Sequence, residues 1–200
     1  MDRKSDNKDI RGEANIFTEM LSGSWYNAAD PELQVGLRRC QQECYEINNI
    51  PPKNFQEVDN RIAKLFGKAG KKLHVNTPFH CDYGINVEVG DCFFANFNLT
   101  ILDEAKVTFG DHVYIGPNCS FYTAIHPTDP VERNKDIERA APIKVGDSVW
   151  FGGNVTVLPG VTIGSGTTIG AGSVVTKDIP ANVVAAGNPC KVIKNLTPKA

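Results

Sequence analysis

The apolar positions in the second half of the chain repeat every six residues, from about residue 72 to 179. In the clearest stretch one apolar set is Val145, Phe151, Val157, Ile163, Ile169 and Val175. A second apolar or small set lies two residues earlier in each repeat: Ile143, Val149, Val155, Val161, Thr167 and Ser173. This period fits a triangular coil in which each side is one hexapeptide and the apolar residues point inward. The sequence therefore predicts a mainly β protein, a parallel β-helix of stacked coils.

Glycine directly follows several residues of the first set, and we expect it to permit the tight corners between the sides of each coil. These glycines are Gly146, Gly152, Gly164 and Gly170. The same six-residue spacing continues upstream through Val107, Val113 and Cys119.

A segment of helical period precedes the coils, from about residue 15 to 67. Asp30-Pro31-Glu32 has the form of a helix start, with a capping side chain, a first-turn proline and a first-turn acid. Asn54 is expected to cap a second helix that Gly67 stops. A shorter helix is predicted over Glu13 to Leu21.

One stretch, Ala124 to Ala141, contains no hexapeptide, and the six-residue register resumes in phase at Ile143. An insertion that leaves the register intact indicates a loop extruded from the column, and loops of this length are often functional. The predicted organisation is a disordered leader (1–12), a helical domain (13–70), the β-helix (71–180) with its loop (124–141), and a C-terminal tail (181–200).

Composition excludes several classes of protein. The formal net charge of −2 does not suit a nucleic-acid-binding protein, which carries a basic excess. No segment has the length and apolarity of a signal peptide or a membrane span, so a cytoplasmic protein without membrane contact is expected. The six cysteines form no CxxC pair and no zinc-like spacing, so they are interpreted as small buried hydrophobic residues.

Four strings in this order resemble the sugar O-acetyltransferases of the maltose, galactoside and nodulation-factor type. They are "FFANFNLTILD" (Phe93–Asp103), "YTAIHPTDPVERN" (Tyr122–Asn134), "IKVGDSVWFGGNVTVLPGVTIG" (Ile143–Gly164) and "IGAGSVVTKDIPANVVAAGNPCKVIK" (Ile169–Lys194). The resemblance covers roughly residues 12 to 196. It implies a left-handed β-helix, acetyl-CoA as co-substrate with no metal required, a sugar-like hydroxyl acceptor, and a homotrimer with its active site between subunits.

The resemblance places the catalytic histidine at His126, at the root of the extruded loop. A neutral imidazole is a natural general base for a hydroxyl group, because its pKa lies near ambient pH. The other histidines, His74, His80 and His112, are interpreted as surface or core residues.

The positions that match the family's acceptor pocket are polar. Asn96 can both accept from and donate to a sugar hydroxyl, and either Asp103 or Glu104 could hold further hydroxyls. Asp82 and Glu19 match acceptor-side positions as well. Each of these could instead be an ordinary solvated polar residue.

The matching positions for coenzyme A follow the coils towards the C-terminus. Gly153 would supply a backbone N–H for the oxyanion of the tetrahedral intermediate. Trp150 either walls the groove or belongs to a core between subunits. The remaining matches are Ala171, Thr176 and Lys177 for the arm or nucleotide, and Lys191 and Lys194 for the phosphates, where a solvated tail is the competing interpretation.

The extruded loop departs from the family, because Asp136 and Ala140 stand near positions where relatives often carry glycine. This departure leaves the identity of the acceptor open. Two other functions are weighed against acetyl transfer. A β-helical carbonic anhydrase would need three histidines on one zinc ion, and the histidines lack that spacing. A non-catalytic hexapeptide-repeat scaffold would have no reason to combine the histidine loop with the coenzyme A positions.

Overall fold

The structure, a computed structural model, describes residues 16–197. The predicted leader (1–12) and the first three residues of the predicted first helix lie outside the described residues. The chain begins with α1 (Ile16–Leu21), β1 (Tyr26–Asn27), α2 (Pro31–Asn48) and α3 (Phe55–Leu65).

The predicted start of α2 is confirmed. The Asp30 carboxylate accepts a hydrogen bond from the Glu32 backbone N–H at 2.9 Å, and Pro31 occupies the first turn. The helix buries one stripe against the coils: Leu33, Cys40, Cys44 and Ile47.

The predicted cap of α3 is wrong in its detail. Asn54 precedes the helix, but its side chain makes no capping hydrogen bond, because a 3₁₀ turn over Pro52–Asn54 leads directly into α3. The helix ends at Phe66, whose backbone is extended, one residue before Gly67. Gly67 is required for a different reason, since a Cβ there would collide with the Ile85 carbonyl oxygen.

The rest of the chain winds into a parallel β-helix of about six turns, and its strands stack in three sheets. One sheet contains β2 (Lys68–Ala69), β5 (Val87–Val89), β8 (Val107–Phe109), β13 (Ile143–Val145) and β16 (Thr162–Ile163). The next contains β3 (His74–Val75), β6 (Phe94–Ala95), β9 (Tyr114–Ile115), β14 (Trp150–Phe151), β17 (Thr168–Ile169), β19 (Val183–Ala186) and β20 (Lys191–Asn195). The last contains β4 (Phe79–Cys81), β7 (Leu99–Leu102), β10 (Ser120–Tyr122), β15 (Thr156–Val157) and β18 (Val174–Val175).

The hexapeptide prediction is confirmed by burial, because both repeating sets point into the column and are buried. The interior also holds a run of phenylalanine rings in successive contact, with centroids about 5 Å apart: Phe93, Phe109, Phe121 and Phe151. The core is therefore one continuous ladder of aliphatic and aromatic side chains along the axis.

The glycines after the inward positions do not serve the tight corners that were expected of them. A Cβ on Gly152 would lie 2.6 Å from the Ala171 backbone nitrogen, so glycine there permits close approach between successive coils. The left-handed backbone at many corners is instead adopted by other residues, including Asn98 (φ 62°), Asn118 (φ 59°) and Asn154 (φ 59°). Asparagine tolerates this region better than most side chains.

The interruption between Ala124 and Ala141 is folded. It contains β11 (Ala124–Ile125), α4 (Pro130–Arg133) and β12 (Ile137–Ala140). β12 pairs antiparallel with β11 on one side and with β1 on the other. Through β12, the insertion thus links β1 of the N-terminal segment to β11, which follows β10 and directly precedes His126.

The parallel stacking extends to β19, which pairs with β17, beyond the predicted limit of the coils at residue 180. β20 then folds back antiparallel on β19 with every side chain exposed, so part of the predicted C-terminal tail is an exposed strand. Within residues 16–197, the helices are too short or too polar to cross a lipid bilayer.

Candidate active site

His126 directly follows β11, and its side chain is 56% exposed. Its Nε2 lies 3.6 Å from Oε2 of Glu138 on the neighbouring β12. The Glu138 side chain is only 10% exposed. The antiparallel pairing of β11 and β12 therefore places an accessible imidazole beside a nearly buried carboxylate.

Glu138 is held from its other side by Tyr26. The two residues are register partners between β1 and β12, and the Tyr26 hydroxyl donates a short hydrogen bond to Glu138 Oε1. Burial raises the pKa of Glu138, and the hydrogen bond from Tyr26 opposes that shift. Burial and the same carboxylate raise the pKa of Tyr26, so the phenol keeps its proton and remains a donor.

Further acidic side chains lie behind this pair. A hydrogen bond joins Glu104 to Asp82, and Thr123 Oγ1 lies 3.0 Å from Glu104 Oε2. Burial, reinforced by Asp82, raises the pKa of Glu104 to about 8. Burial likewise raises the pKa of Asp82, although its hydrogen bond with Glu104 opposes the shift. At neutral pH, Glu104 is thus a protonated acid beside the carboxyl group of Asp82.

The carboxylate of Asp103 accepts hydrogen bonds from the protein's own backbone. It is fully buried, and its oxygens accept from the backbone N–H groups of Asp82 at 3.0 Å, Tyr83 at 2.9 Å and Asn86 at 3.3 Å. Burial nevertheless raises its pKa to about 6. Asp103 therefore fixes the loop that carries Asp82, and it has no exposed surface from which to contact an acceptor.

The structure gathers only some of the predicted acceptor residues around His126. Asp82 and Glu104 join the acidic cluster with Glu138. Asn96 is half-buried after β6, where its Oδ1 accepts from the Phe97 N–H at 2.8 Å. Glu19 is exposed on α1. The acceptor contacts of Asn96 and Glu19 remain predictions.

The residues predicted to bind coenzyme A lie on the outside of the later coils. Trp150 is 57% exposed on β14, and Gly153 lies in the turn after it, where its carbonyl accepts from the Gly172 N–H at 2.9 Å. The side chains of the others are exposed as well: Ala171, Thr176, Lys177, Lys191 and Lys194. Both lysines at the end lie on β20. The surface is accessible in the single chain, and its ligand remains a prediction.

Sequence reasoning missed Glu138, which faces the histidine, and Tyr26, which donates a hydrogen bond to Glu138. Glu138 lies in a dense charged run in which nothing marks it from its neighbours. Tyr26 is separated from it by 112 positions. The signal available was indirect, since Glu138 belongs to the loop that interrupts the hexapeptides.

The acidic cluster gives a prediction for the pH dependence of stability. Burial keeps the pKa of Glu104 near 8 in the folded chain, but in the unfolded chain the pKa of this carboxyl is near its ordinary value of 4.5. The folded state then holds the extra proton, so stability should fall as the pH rises from about 4.5 to 8. Urea unfolding midpoints measured across this range should decline less steeply in Glu104→Gln than in the wild type. An equal slope in both proteins would contradict the assignment.

The carbonic anhydrase alternative finds no support in the arrangement of histidines. Among residues 16–197, the only group of side chains placed to hold a metal ion consists of three cysteines and contains no histidine.

Comparisons with known proteins agree with this fold. Residues 19–70 match the maltose acetyltransferase hexapeptide capping motif, and residues 142–177 match the bacterial transferase hexapeptide (six repeats). A putative acetyltransferase of Saccharomyces cerevisiae is 45% identical over 92% of this chain and 94% of its own length. Nodulation protein L of Rhizobium meliloti is 41% identical over 87% of this chain and 95% of its own.

Two solved structures share the whole architecture. A maltose O-acetyltransferase from Clostridium difficile superimposes with a TM-score of 0.91 and 44% identity, covering 94% of this chain and all of that one. A galactoside acetyltransferase in complex with coenzyme A gives a TM-score of 0.88 and 38% identity, covering 92% of each chain. The chain therefore belongs to the hexapeptide-repeat acetyltransferase family.

Proposed function

We propose that this protein is an acetyl-CoA-dependent O-acetyltransferase that acetylates a hydroxyl group of a sugar, with His126 as the general base. The observation that carries the proposal is the exposed imidazole of His126 beside the nearly buried carboxylate of Glu138. Family membership supports the reaction class, and solved relatives with coenzyme A or acetyl-CoA bound support the co-substrate.

In the proposed reaction, His126 carries one proton from the sugar hydroxyl to the departing thiolate. The imidazole of His126 takes the proton of the sugar hydroxyl as its oxygen attacks the thioester carbonyl carbon. The backbone N–H of Gly153 would stabilise the oxyanion that forms. Collapse of the intermediate breaks the carbon–sulfur bond, and the imidazolium returns the proton to the departing coenzyme A thiolate. The products are the acetylated sugar and free coenzyme A.

Glu138 would act as a positioning residue. Its carboxylate faces the imidazole, and the hydrogen bond from Tyr26 fixes the carboxylate in turn. A negative charge in this position favours the imidazolium that forms during the reaction. The Tyr26–Glu138 contact also means that the N-terminal segment helps to orient the base.

Glu138→Gln tests this role. The amide keeps an oxygen that can accept from Tyr26 but loses the charge, so we expect kcat to fall about 10- to 100-fold, as for misplacement of a catalytic group. The KM for acetyl-CoA should not change, and Glu138→Asp should restore part of kcat. The matched control is Glu132→Gln, which alters an exposed glutamate of the same insertion that forms an ion pair with Lys135. Equal kcat in both glutamine variants would contradict a positioning role.

On the acceptor side, we propose that Glu104 and Asp82 contact the sugar. Their shared proton offers both a donor and an acceptor for sugar hydroxyls. Asp103 would serve indirectly by holding the Asp82 backbone. Asn96 and Glu19 complete the proposed acceptor set.

Coenzyme A is proposed to lie along the outside of the later coils. Exposed corner amides suit the peptide-like groups of its arm, and exposed lysines suit its phosphates as point charges. The proposed contacts are Gly153, Trp150, Ala171, Thr176, Lys177, Lys191 and Lys194.

We further propose a homotrimer with the active site between subunits. Several aromatic side chains are exposed on the single chain, and among those on the coils are Phe97 at 52%, Tyr114 at 48% and Trp150 at 57%. Exposed apolar surface of this kind suits contacts between subunits. A cytoplasmic location is part of the proposal, since the cysteines are free thiols in the structure and that compartment keeps thiols reduced. Sedimentation equilibrium with activity measured on the same sample tests the assembly.

The experiment that tests the function is release of free thiol from acetyl-CoA across a panel of hydroxyl acceptors, including glucose, maltose, a galactoside and an amino sugar. We expect release that depends on at least one sugar and saturates with its concentration. A non-catalytic scaffold, the competing function, would give no acceptor-dependent release with any member of the panel.

A further inference from the structure

Three cysteine side chains meet where the helical segment packs on the first coils. Cys40 and Cys44 lie one turn apart on α2, and Cys81 ends β4. The Sγ atoms of Cys40 and Cys81 are 3.4 Å apart, and those of Cys44 and Cys81 are 3.9 Å apart. All three Sγ atoms lie within 4.8 Å of one another, and all three residues are buried.

This arrangement differs from the interpretation of the cysteines as separate hydrophobic residues. Cys119 fits that interpretation, because it points into the column as one inward position of a hexapeptide. Cys40, Cys44 and Cys81 form a compact group of thiols instead. Two of them come from a helix and the third lies 41 positions after Cys40, which no local cysteine spacing reveals.

The distances fit coordination of one ion. A metal bound by thiolates lies about 2.3 Å from each sulfur, so ligand sulfurs around a single ion are roughly 4 Å apart. The separations of 3.4 and 3.9 Å in this group are close to that value. Small side-chain rotations would suffice to equalise them.

The chemistry of the group selects the kind of ion. Thiolates are soft ligands, and they favour thiophilic ions such as Zn²⁺ and Cu⁺ over Mg²⁺ or Ca²⁺. The thiols lose their protons to solvent as they coordinate the ion.

The group also has a route to solvent. A cavity of about 500 Å³ is bordered by Cys44 and Cys81, together with His80 and Asp82. An ion could enter from this side, and a water molecule in the cavity could complete a tetrahedral set.

We propose that Cys40, Cys44 and Cys81 form a three-thiolate binding site for a soft, thiophilic metal ion. The bound ion would join α2 to the end of β4, immediately before the proposed acceptor residue Asp82. It takes no part in acetyl transfer. Its effect is to fasten the helical segment to the column.

The test titrates the fully reduced protein with Zn²⁺ and, separately, with Cu⁺, each against a chromophoric competing chelator. We expect one ion per chain for at least one of the two metals. Cys44→Ser should abolish this stoichiometric binding, whereas Cys119→Ser, which removes a buried thiol elsewhere in the column, should leave it unchanged. At a hundredfold excess of free metal over Kd, the Tm of the wild type should rise by about 5–10 °C.

Absence of stoichiometric binding by the wild type with both metals would overturn the proposal, as would full binding by Cys44→Ser. If Cys44→Ser fails to fold, X-ray absorption on the metal-loaded wild type decides. Three sulfur neighbours at about 2.3 Å support the site, and a shell of only nitrogen and oxygen contradicts it. Neither result depends on whether the protein transfers acetyl groups.

Discussion

Replacing His126 with alanine is expected to lower kcat about 10²- to 10⁴-fold, the usual contribution of a general base. The loss falls on the chemical step, because the hydroxyl proton would have no acceptor when the oxygen attacks the thioester. The affinity for acetyl-CoA should remain within about twofold of the wild type, since the proposed coenzyme A contacts lie on other coils. Steady-state thiol release and equilibrium binding of coenzyme A measure the two quantities.

The matched control is His112→Ala. His112 is an exposed histidine at a coil corner, outside the interruption of the hexapeptides. Its loss should leave kcat within about twofold of the wild type, as expected for a surface substitution away from the site. Equal kcat in the wild type and His126→Ala would remove His126 from the mechanism.

The second large effect is on stability. Phe121→Ala should reduce the free energy of unfolding by about 3–5 kcal/mol, the range for truncating a buried aromatic side chain. Phe121 is fully buried at the centre of the column. Its ring contacts Phe109 on one side and Phe151 on the other, with centroids 5.0 and 5.2 Å apart. Alanine would leave a cavity there that stiffly stacked coils cannot close.

Chemical denaturation at a fixed protein concentration measures this loss, because assembly of subunits also contributes to apparent stability. Tyr45→Ala is the control, since Tyr45 is 64% exposed on α2. Its effect on the single chain should be small. A loss below about 1 kcal/mol for Phe121→Ala would contradict the assignment of these rings to a continuous core.

The coils were predictable because the information is local and repeated. Each inward position, such as Val145 or Ile163, has the same environment as the position one coil away, so the pattern is averaged over many repeats. The start of α2 was predictable for a related reason, since Asp30 caps the helix within two residues of itself. Asn54 offered the same local signal without the capping bond, because the preceding 3₁₀ turn set the geometry of the entry into α3.

The site was predictable only in part. His126 could be proposed as the base because it lies where the repeat is interrupted, within a string that resembles the family. Its partner Glu138 could not, because the pairing of β11 with β12 follows from how the insertion folds. Tyr26 was harder still to predict, since β1 lies far before β12 in the sequence and pairs with it only in the folded chain.

Burial distinguishes Asp103 from Glu104, which residue type alone did not. Asp103 and Glu104 are neighbours of similar chemistry, yet Asp103 is fully enclosed by backbone donors while Glu104 borders Thr123 and Asp82. The thiol group of α2 and β4 is another case in which long-range packing created a cluster that no spacing could indicate.

The central claim is that this chain moves an acetyl group from acetyl-CoA to a sugar hydroxyl with His126 as base. Mass spectrometry of the sugar after incubation with acetyl-CoA carrying a ¹³C-labelled acetyl group tests it most directly. The account predicts a labelled sugar ester with the wild type and, in the same time, at most about one hundredth as much with His126→Ala. A sugar that stays unlabelled with the wild type across the acceptor panel, or is labelled equally by both proteins, would contradict it.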